Sequence, residues 1–299
     1  MTTTAPGAAQ RNRGTLFVED AKVLDVQAWP GDQFIIRLAS PLCAARAVPG
    51  SFIHVRCDDA IPMRRPLSIM RTDPEAGWIE VLFKVVGGGL RMLASKQPGE
   101  RVSSIGPIGC GFAPSPERPR TLLIGGGVGI PPMVFLAEFL KDDESDWQPL
   151  VLMGSEVPFP FDSATSAIAT PWLDKETNGT MPLLEMWGIP ARLASLSGFE
   201  GTFHGYVTDL ARRWLKSLSK SGLSEVEIMS CGPTPMLEAV ANLAREFGVP
   251  CQVSLEEFMA CAVGGCAGCT VLVQTDDGPA MKRVCVDGPV FDAAAVFPG

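Results

Sequence analysis

Leu122-Leu123-Ile124-Gly125-Gly126-Gly127-Val128-Gly129-Ile130-Pro131-Pro132-Met133 is the stretch on which the fold turns. An apolar run too short for a helix stops at a glycine turn, and a second apolar run follows over residues 133–140. Strand, glycine turn and helix form the layout that seats a dinucleotide pyrophosphate on a helix N-terminus. The two prolines suit a first helical turn, where a missing N–H costs little. The stretch is not G-x-G-x-x-G, so the fingerprint itself does not match. Downstream, residues 150–153, 192–195 and 226–229 read as strands, and 210–218 and 235–247 as helices. Strands alternating with helices predict a doubly wound parallel sheet. Residues 159–187 show no regular period.

Upstream the texture is different. Short β-branched and aromatic runs lie at 16–18, 23–26, 34–38, 52–55 and 79–86, and Pro30-Gly31-Asp32, Pro49-Gly50, Asp73-Pro74 and Pro98-Gly99 punctuate them. Such spacing without long helices predicts a small antiparallel β-barrel, with one short helix at 90–95. Pro114 to Pro119, rich in proline and charge, reads as the linker between barrel and sheet.

Two barrel segments are candidates for ligand contact. In Arg64-Arg65-Pro66-Leu67-Ser68-Ile69, an arginine can pair with a pyrophosphate and a serine hydroxyl can face a flavin ring. On spacing alone, an ordinary strand with two exposed arginines is the stronger reading. In Val85-Val86-Gly87-Gly88-Gly89-Leu90, the glycine amides can hold a phosphate, and a plain glycine turn is equally consistent. In the sheet, Ser230-Cys231-Gly232-Pro233-Thr234-Pro235-Met236 falls after a strand, at the carboxyl end where open α/β sheets bind ligands. Its thiol can face a nicotinamide ring or be a small buried residue before a helix start. His54 and His204, the only histidines, read as strand or surface residues.

The C-terminal stretch is the most specific. Cys261, Cys266 and Cys269 follow C-x4-C-x2-C, and Cys285 comes later. That is the plant-type spacing for four thiolates around a [2Fe–2S] cluster, and Gly264, Gly265 and Gly268 allow tight turns with N–H groups aimed at sulfur. A four-cysteine zinc site and unligated thiols remain as alternatives, although zinc sites usually carry paired C-x2-C knuckles and only one is present.

Composition limits the classes. A chain of 299 residues with 46% hydrophobic content has room for two domains and a small third module. A formal net charge of −8 argues against nucleic acid and anionic membranes as partners. No run approaches the roughly 18 apolar residues of a membrane span, and residues 1–14 lack an apolar signal core and read as a disordered tail. Nine cysteines, four of them clustered, point to metal chemistry in a reducing, cytoplasmic compartment rather than to disulfides.

Taken in order, the Arg64–Ile69 segment, the Gly125–Met133 loop, Cys231-Gly232-Pro233-Thr234-Pro235-Met236 and Ser254-Leu255-Glu256-Glu257-Phe258-Met259-Ala260-Cys261 resemble the electron-transfer subunit of type B dihydroorotate dehydrogenase, in the ferredoxin–NADP reductase superfamily. Arg283-Val284-Cys285-Val286-Asp287-Gly288-Pro289-Val290-Phe291 extends the likeness, which spans about residues 15–297. The resemblance implies an FAD-binding barrel over 15–116, an NAD-binding α/β domain over 117–252 and a [2Fe–2S] module over 253–299. It also implies an FMN-containing catalytic subunit as partner, in a heterotetramer, and electron transfer in pyrimidine biosynthesis. By resemblance, Arg65 and Ser68 contact FAD, with Pro66, Leu67 and Ile69 lining its site. Gly87, Gly88, Gly89 and Leu90 approach its phosphates. Gly125, Gly126, Gly127, Gly129, Ile130 and Pro131 face NAD, as do Cys231, Gly232 and Pro233. Cys261, Cys266, Cys269 and Cys285 ligate iron.

Three departures stand out. Leu90 replaces a threonine, Ser197-Gly198-Phe199-Glu200-Gly201 replaces an acidic stretch, and 159–187 is longer than the family pattern. Gly154-Ser155-Glu156 offers an acidic ribose site, which favours NADH over NADPH. The competing functions are a reductase component of an oxygenase, hydrogenase or transhydrogenase, and a zinc-holding regulatory subunit.

Overall fold

A computed structural model gives the fold and describes residues 15–299; the disordered tail expected over 1–14 lies outside the described residues. Six strands, β1 (Phe17–Trp29), β2 (Gln33–Ala39), β3 (Phe52–Arg56), β4 (Arg65–Asp73), β5 (Trp78–Lys84) and β6 (Arg101–Ile108), close into a barrel in the order β1-β2-β5-β4-β3-β6. Alternation decides which side chains go inside: Ile36, Leu38, Ile53, Val55, Ile69, Ile79 and Val81 fill its core.

Two expectations are corrected here. The runs at 16–18 and 23–26 form one long strand, because a bulge between Val23 and Asp25 bends β1 without a turn. β6 went unanticipated, since Ser103, Ser104, Gly106 and Pro107 mask its alternation. A four-residue helix, α1 (Pro41–Ala44), follows β2. α2 (Gly88–Ala94) plugs one end of the barrel with Leu90 and Leu93.

The second half runs β7 (Arg120–Gly126), α3 (Ile130–Asp142), β8 (Leu150–Gly154), β9 (Ala164–Thr165), β10 (Gly179–Thr180), α4 (Pro182–Met186), β11 (Ala191–Ser195), β12 (Phe203–His204), α5 (Val207–Ser217), α6 (Lys220–Leu223), β13 (Val226–Cys231), α7 (Thr234–Phe247) and β14 (Cys251–Ser254). β9 and β10 pair with each other and account for part of the 159–187 stretch. After β14 come the hairpin β15 (Thr270–Thr275) and β16 (Gly278–Arg283), then β17 (Val290–Asp292) and α8 (Ala293–Val296).

The main sheet has the order β12-β11-β8-β7-β13-β14-β17. All its pairings are parallel except that of β14 with β17, so the sheet is mixed rather than wholly parallel. β17 also changes the domain division. The boundary drawn at 252/253 cuts β14, and residues 290–292 return to the sheet, so the cysteine segment is inserted between two sheet strands.

Specific contacts hold the parts together. Arg71 of β4 makes a forked, half-buried pair with Glu138 of α3, its Nη2 2.6 Å from Oε1. The expected linker at 114–119 is fastened, not free. Ser115 N donates to Glu227 Oε2 at 2.9 Å, and Arg118 Nη1 donates to the Val226 carbonyl at 3.0 Å. Just before it, Gln252 bonds both main-chain groups of Ala113.

Candidate functional site

The first part of the site lies at the barrel rim. Arg65 donates from Nη1 to the Met63 and Arg64 carbonyls, and its guanidinium lies against Gly89: a Cβ there would come within 3.3 Å of Nε and Nη2. At Gly87 and Gly88 an added Cβ would meet nothing within 4 Å. A cation and open main chain at a helix start make a seat for a phosphate. Arg64, the other arginine of the pair, is occupied structurally. Its Nη1 donates to the His54 and Ser103 carbonyls and its Nη2 to Ser103 Oγ.

Along β4 the alternation separates the expected flavin contacts. Leu67 and Ile69 point into the barrel core, so only their main chain can line a flavin site. Leu90 likewise packs in the barrel. Pro66 and Ser68 lie on the outer face, paired with His54 and Phe52 of β3, and side chains of antiparallel partners share a face.

The second part is a crevice at the carboxyl ends of β7 and β13. From β7 the chain goes to β8, β11 and β12 on one side, then returns to β13 on the other, so the strand order reverses between β7 and β13. That is where open α/β sheets bind nucleotides. Gly125 registers with Cys231 across this gap. A Cβ on Gly129 would sit 2.2 Å from the Cys231 carbonyl oxygen, and one on Gly126 2.4 Å from Met236 Sδ. Gly127, with φ of +54°, has nothing within 4 Å of an added Cβ. Ile130 and Pro131 are buried in α3, so the crevice is lined there by main chain. Gly232 lies under Met236, where a Cβ would come within 2.5 Å of Cε, and Pro233 is exposed at the start of α7.

The Cys231 thiol is fully buried, and burial first, then the Glu256 charge, push its pKa well up; it is a neutral thiol, not a nucleophile. Burial raises the Glu256 carboxyl above the usual range.

The third part is the cysteine loop. Cys266 N points at Cys261 Sγ and Gly268 N at Cys266 Sγ, each at 3.4 Å. Ala262 and Ala267, each directly after a cysteine, adopt left-handed φ of 55° and 54°. That conformation is costly for a residue with a Cβ and is held by its surroundings. Burial opposes charge on Cys261, but main-chain N–H groups of Val263, Cys266 and Gly265, with the Cys266 side chain, outweigh it and bring the thiol down to about 7. Burial, and then its hydrogen bond with Cys269, push Cys285 up to about 12.

Cys261 lies beside Cys266 and Cys285 beside Cys269, and Cys285 also feels the Cys261 charge. Among the described residues, no three His, Cys, Asp or Glu side chains are set to hold a single ion. Four thiols with N–H groups aimed at sulfur fit a binuclear cluster, in which each iron takes two thiolates. Arg283 ties the two halves of the loop together: Nη1 donates to the Gly264 carbonyl and Nε to Asp287 Oδ2.

The loop sits on the barrel. Phe52 of β3 shares a core with Ala262, Cys269, Val284 and Cys285, and Met259 packs beside them. Two residues here were missed from sequence. Met236 fills the space between Gly126 and Gly232. His54 is completely buried, and neither ring nitrogen makes a hydrogen bond of good geometry. Burial, then the nearby Arg64 charge, lower its pKa to about 4, so the ring is neutral. Its place in the short run Phe52-Ile53-His54-Val55 gave no sign of this.

The overall architecture matches that of a solved NADH-dependent reduced ferredoxin–NADP oxidoreductase. The TM-score is 0.72 at 26% identity, over 93% of this chain and 90% of that one. A ferredoxin reductase of carbazole 1,9a-dioxygenase shares the fold at a TM-score of 0.58 and 23% identity, over 79% of this chain and 67% of that one. The molecule is therefore an oxidoreductase of the ferredoxin–NADP reductase type that carries an added iron–sulfur domain. Residues 256–297 match the family model for the iron–sulfur cluster binding domain of dihydroorotate dehydrogenase B. The electron transfer subunit of dihydroorotate dehydrogenase B (NAD(+)) from Desulforamulus reducens is 33% identical over 279 residues, covering 92% of this chain and 96% of that protein. Its counterpart from Shouchella clausii is 32% identical over 270 residues, covering 89% and 92%. The chain belongs to the family of dihydroorotate dehydrogenase B electron transfer subunits. FAD, NAD and a [2Fe–2S] cluster are its cofactors. Among the described residues no helix is long and apolar enough to cross a membrane.

Proposed function

We propose that this chain passes electrons between NADH and the FMN of a dihydroorotate dehydrogenase catalytic subunit in pyrimidine biosynthesis. The observation that carries the reading is a loop of four cysteines, of which Cys269 and Cys285 share a core with Phe52 of β3, the strand paired with β4. FAD supplies the exchange between two-electron hydride chemistry and the one-electron chemistry of a cluster. This chain's residues bind and orient. Arg65 and the amides of Gly87, Gly88 and Gly89 hold the FAD phosphates, and Ser68 and Pro66 face the ring. The main chain of Gly125–Pro131 and of Cys231–Pro233 would seat NAD, and buried Cys231 is a neutral thiol with no proton to exchange there. Cys261, Cys266, Cys269 and Cys285 would supply the four thiolates that hold the cluster.

Glu156 follows β8, and its main-chain carbonyl is fixed by Ser197 Oγ at 3.0 Å. The carboxylate is exposed, suits a ribose diol and repels a 2′-phosphate, which favours NADH. The reading includes a cytoplasmic assembly with the catalytic subunit as a heterotetramer.

Copurification tests the reading. Anaerobically isolated protein should carry flavin, iron and acid-labile sulfide, bleach faster with NADH than with NADPH, and bring down a subunit that oxidises dihydroorotate. Capture of an oxygenase component instead, or a colourless zinc protein, overturns it.

A further inference from the structure

The turn between β1 and β2 reaches across to the nucleotide half of the molecule. Gly31 and Asp32 take left-handed φ of 79° and 58°, so the chain reverses tightly and Gln33 pairs with Trp29. Gln33 opens β2 and is only 2% exposed. Its Nε2 donates to the Pro30 carbonyl at 2.8 Å, inside the turn. It also donates to the Pro158 carbonyl at 2.7 Å, 125 positions away and beyond β8. Both partners can only accept, so this pair of bonds needs the NH2 of an amide.

The neighbours of Pro158 are held as well. Val157 faces the turn: a Cβ on Gly31 would come within 3.1 Å of Val157 Cβ. Phe159 is buried, stacks on Phe161 with centroids 5.4 Å apart and meets Phe199 edge-on at 6.5 Å. Trp29 packs on the same cluster. On the other side of Glu156, Ser155 N donates to the Ala194 carbonyl of β11 at 3.1 Å. Exposed Glu156 therefore stands between two anchors, one on the sheet and one on the barrel. The barrel anchor is itself tied to the glycine loop, because Val85 N, just before Gly87, donates to the Asp32 carbonyl at 2.9 Å.

We infer that Gln33 is a positioning residue that fixes the 155–158 loop against the barrel and thereby sets the discrimination between NADH and NADPH. The inference rests on the assignment of Glu156 to the ribose made above. Without the two bonds of Gln33 the loop stays attached through Ser155 and Phe159, and Glu156 gains freedom. A carboxylate that moves about binds a ribose diol less well and repels a 2′-phosphate less strongly. The two nucleotides then respond differently, whereas general loosening of the fold would weaken both alike.

The test is Gln33→Met in the full chain, which keeps the length of the side chain and removes both donors. Titration calorimetry of the oxidised protein with NAD+ and with NADP+ reads binding without turnover. NAD+ should bind about fivefold more weakly, and the preference for NAD+ over NADP+ should narrow by about fivefold, the size expected for one hydrogen bond. Amide hydrogen exchange over residues 156–159 should quicken by a similar factor, while flavin reduction at saturating NADH stays within about twofold. Val157→Ala trims the contact with Gly31, leaves Gln33 in place and should narrow the preference by a smaller factor; it carries the test if the Met variant does not fold. Glu156→Gln is the control. If that control narrows the preference and the folded loop variant leaves it unchanged, or weakens both nucleotides equally, the inference is overturned. If the control leaves the preference unchanged, the ribose assignment fails and the inference with it.

Discussion

An added Cβ at Gly129 would lie 2.2 Å from the Cys231 carbonyl oxygen, whereas at Gly88 it would meet nothing within 4 Å. Both glycines belong to loops that leave a strand and enter a helix, and on paper the loops look alike. In the β7–α3 loop, glycine is demanded mainly by the protein itself. The main chain at the end of β13 and that entering α3 approach so closely that a methyl group cannot fit, and that contact lies at the floor of the proposed nucleotide crevice. In the loop before α2, Gly87 and Gly88 face open space, which leaves room for the FAD phosphates proposed to sit there. Glycine-rich is therefore two different messages: one about folding, one about binding.

The sharpest break of this contrast is Gly129→Ala. The obstacle is main chain on both sides, since Cys231 ends β13 and Gly129 opens α3, so no side chain can swing away. We expect a loss of about 3 kcal/mol of stability or more, read by urea unfolding, together with lost NADH binding. An alanine variant as stable as wild type would show that the crevice floor is pliable.

Gly126→Ala is expected to cost less, about 1 kcal/mol, because the atom in the way is the Met236 sulfur at the end of an adaptable side chain. Combination with Met236→Ala should recover part of that loss. A double-mutant cycle in the same unfolding assay reads the coupling, and simple additivity would mean that the two do not touch in solution.

The contrast also marks what could be read from sequence. The four cysteines, the change from barrel to sheet and the alternation of strands with helices are legible because each leaves a local trace: ligand spacing, turn residues, period. What stayed hidden depends on long-range register. β6 is masked by its serines, glycine and proline. β17 is three residues long and becomes a strand only because β14 offers an edge. Leu67 and Ile69 sit in a motif that suggests ligand contact, yet pairing with Ile53 and the closure of the barrel turn them inward. His54 is a single strand residue whose complete burial, with no partner for its ring nitrogens, is decided by what packs over β3.

Gly88→Ala carries the smallest stability effect and the finest test of the contrast. Gly88 is the first residue of α2, its φ is not left-handed and the space around it is open, so alanine costs the fold nothing by collision. Helix propensity and a less flexible unfolded chain favour alanine by up to about 1 kcal/mol, so the melting temperature should hold or rise slightly. Binding should move the other way. A methyl group in the volume kept for a phosphate displaces it from the amides and from the Arg65 guanidinium beside Gly89, and loss of one charge-assisted hydrogen bond weakens FAD binding about tenfold or more. Flavin release followed by fluorescence reads this directly. Tight FAD binding in a stable Gly88→Ala protein would mean that the open volume is not the phosphate seat, and the two glycine loops would then differ in packing alone.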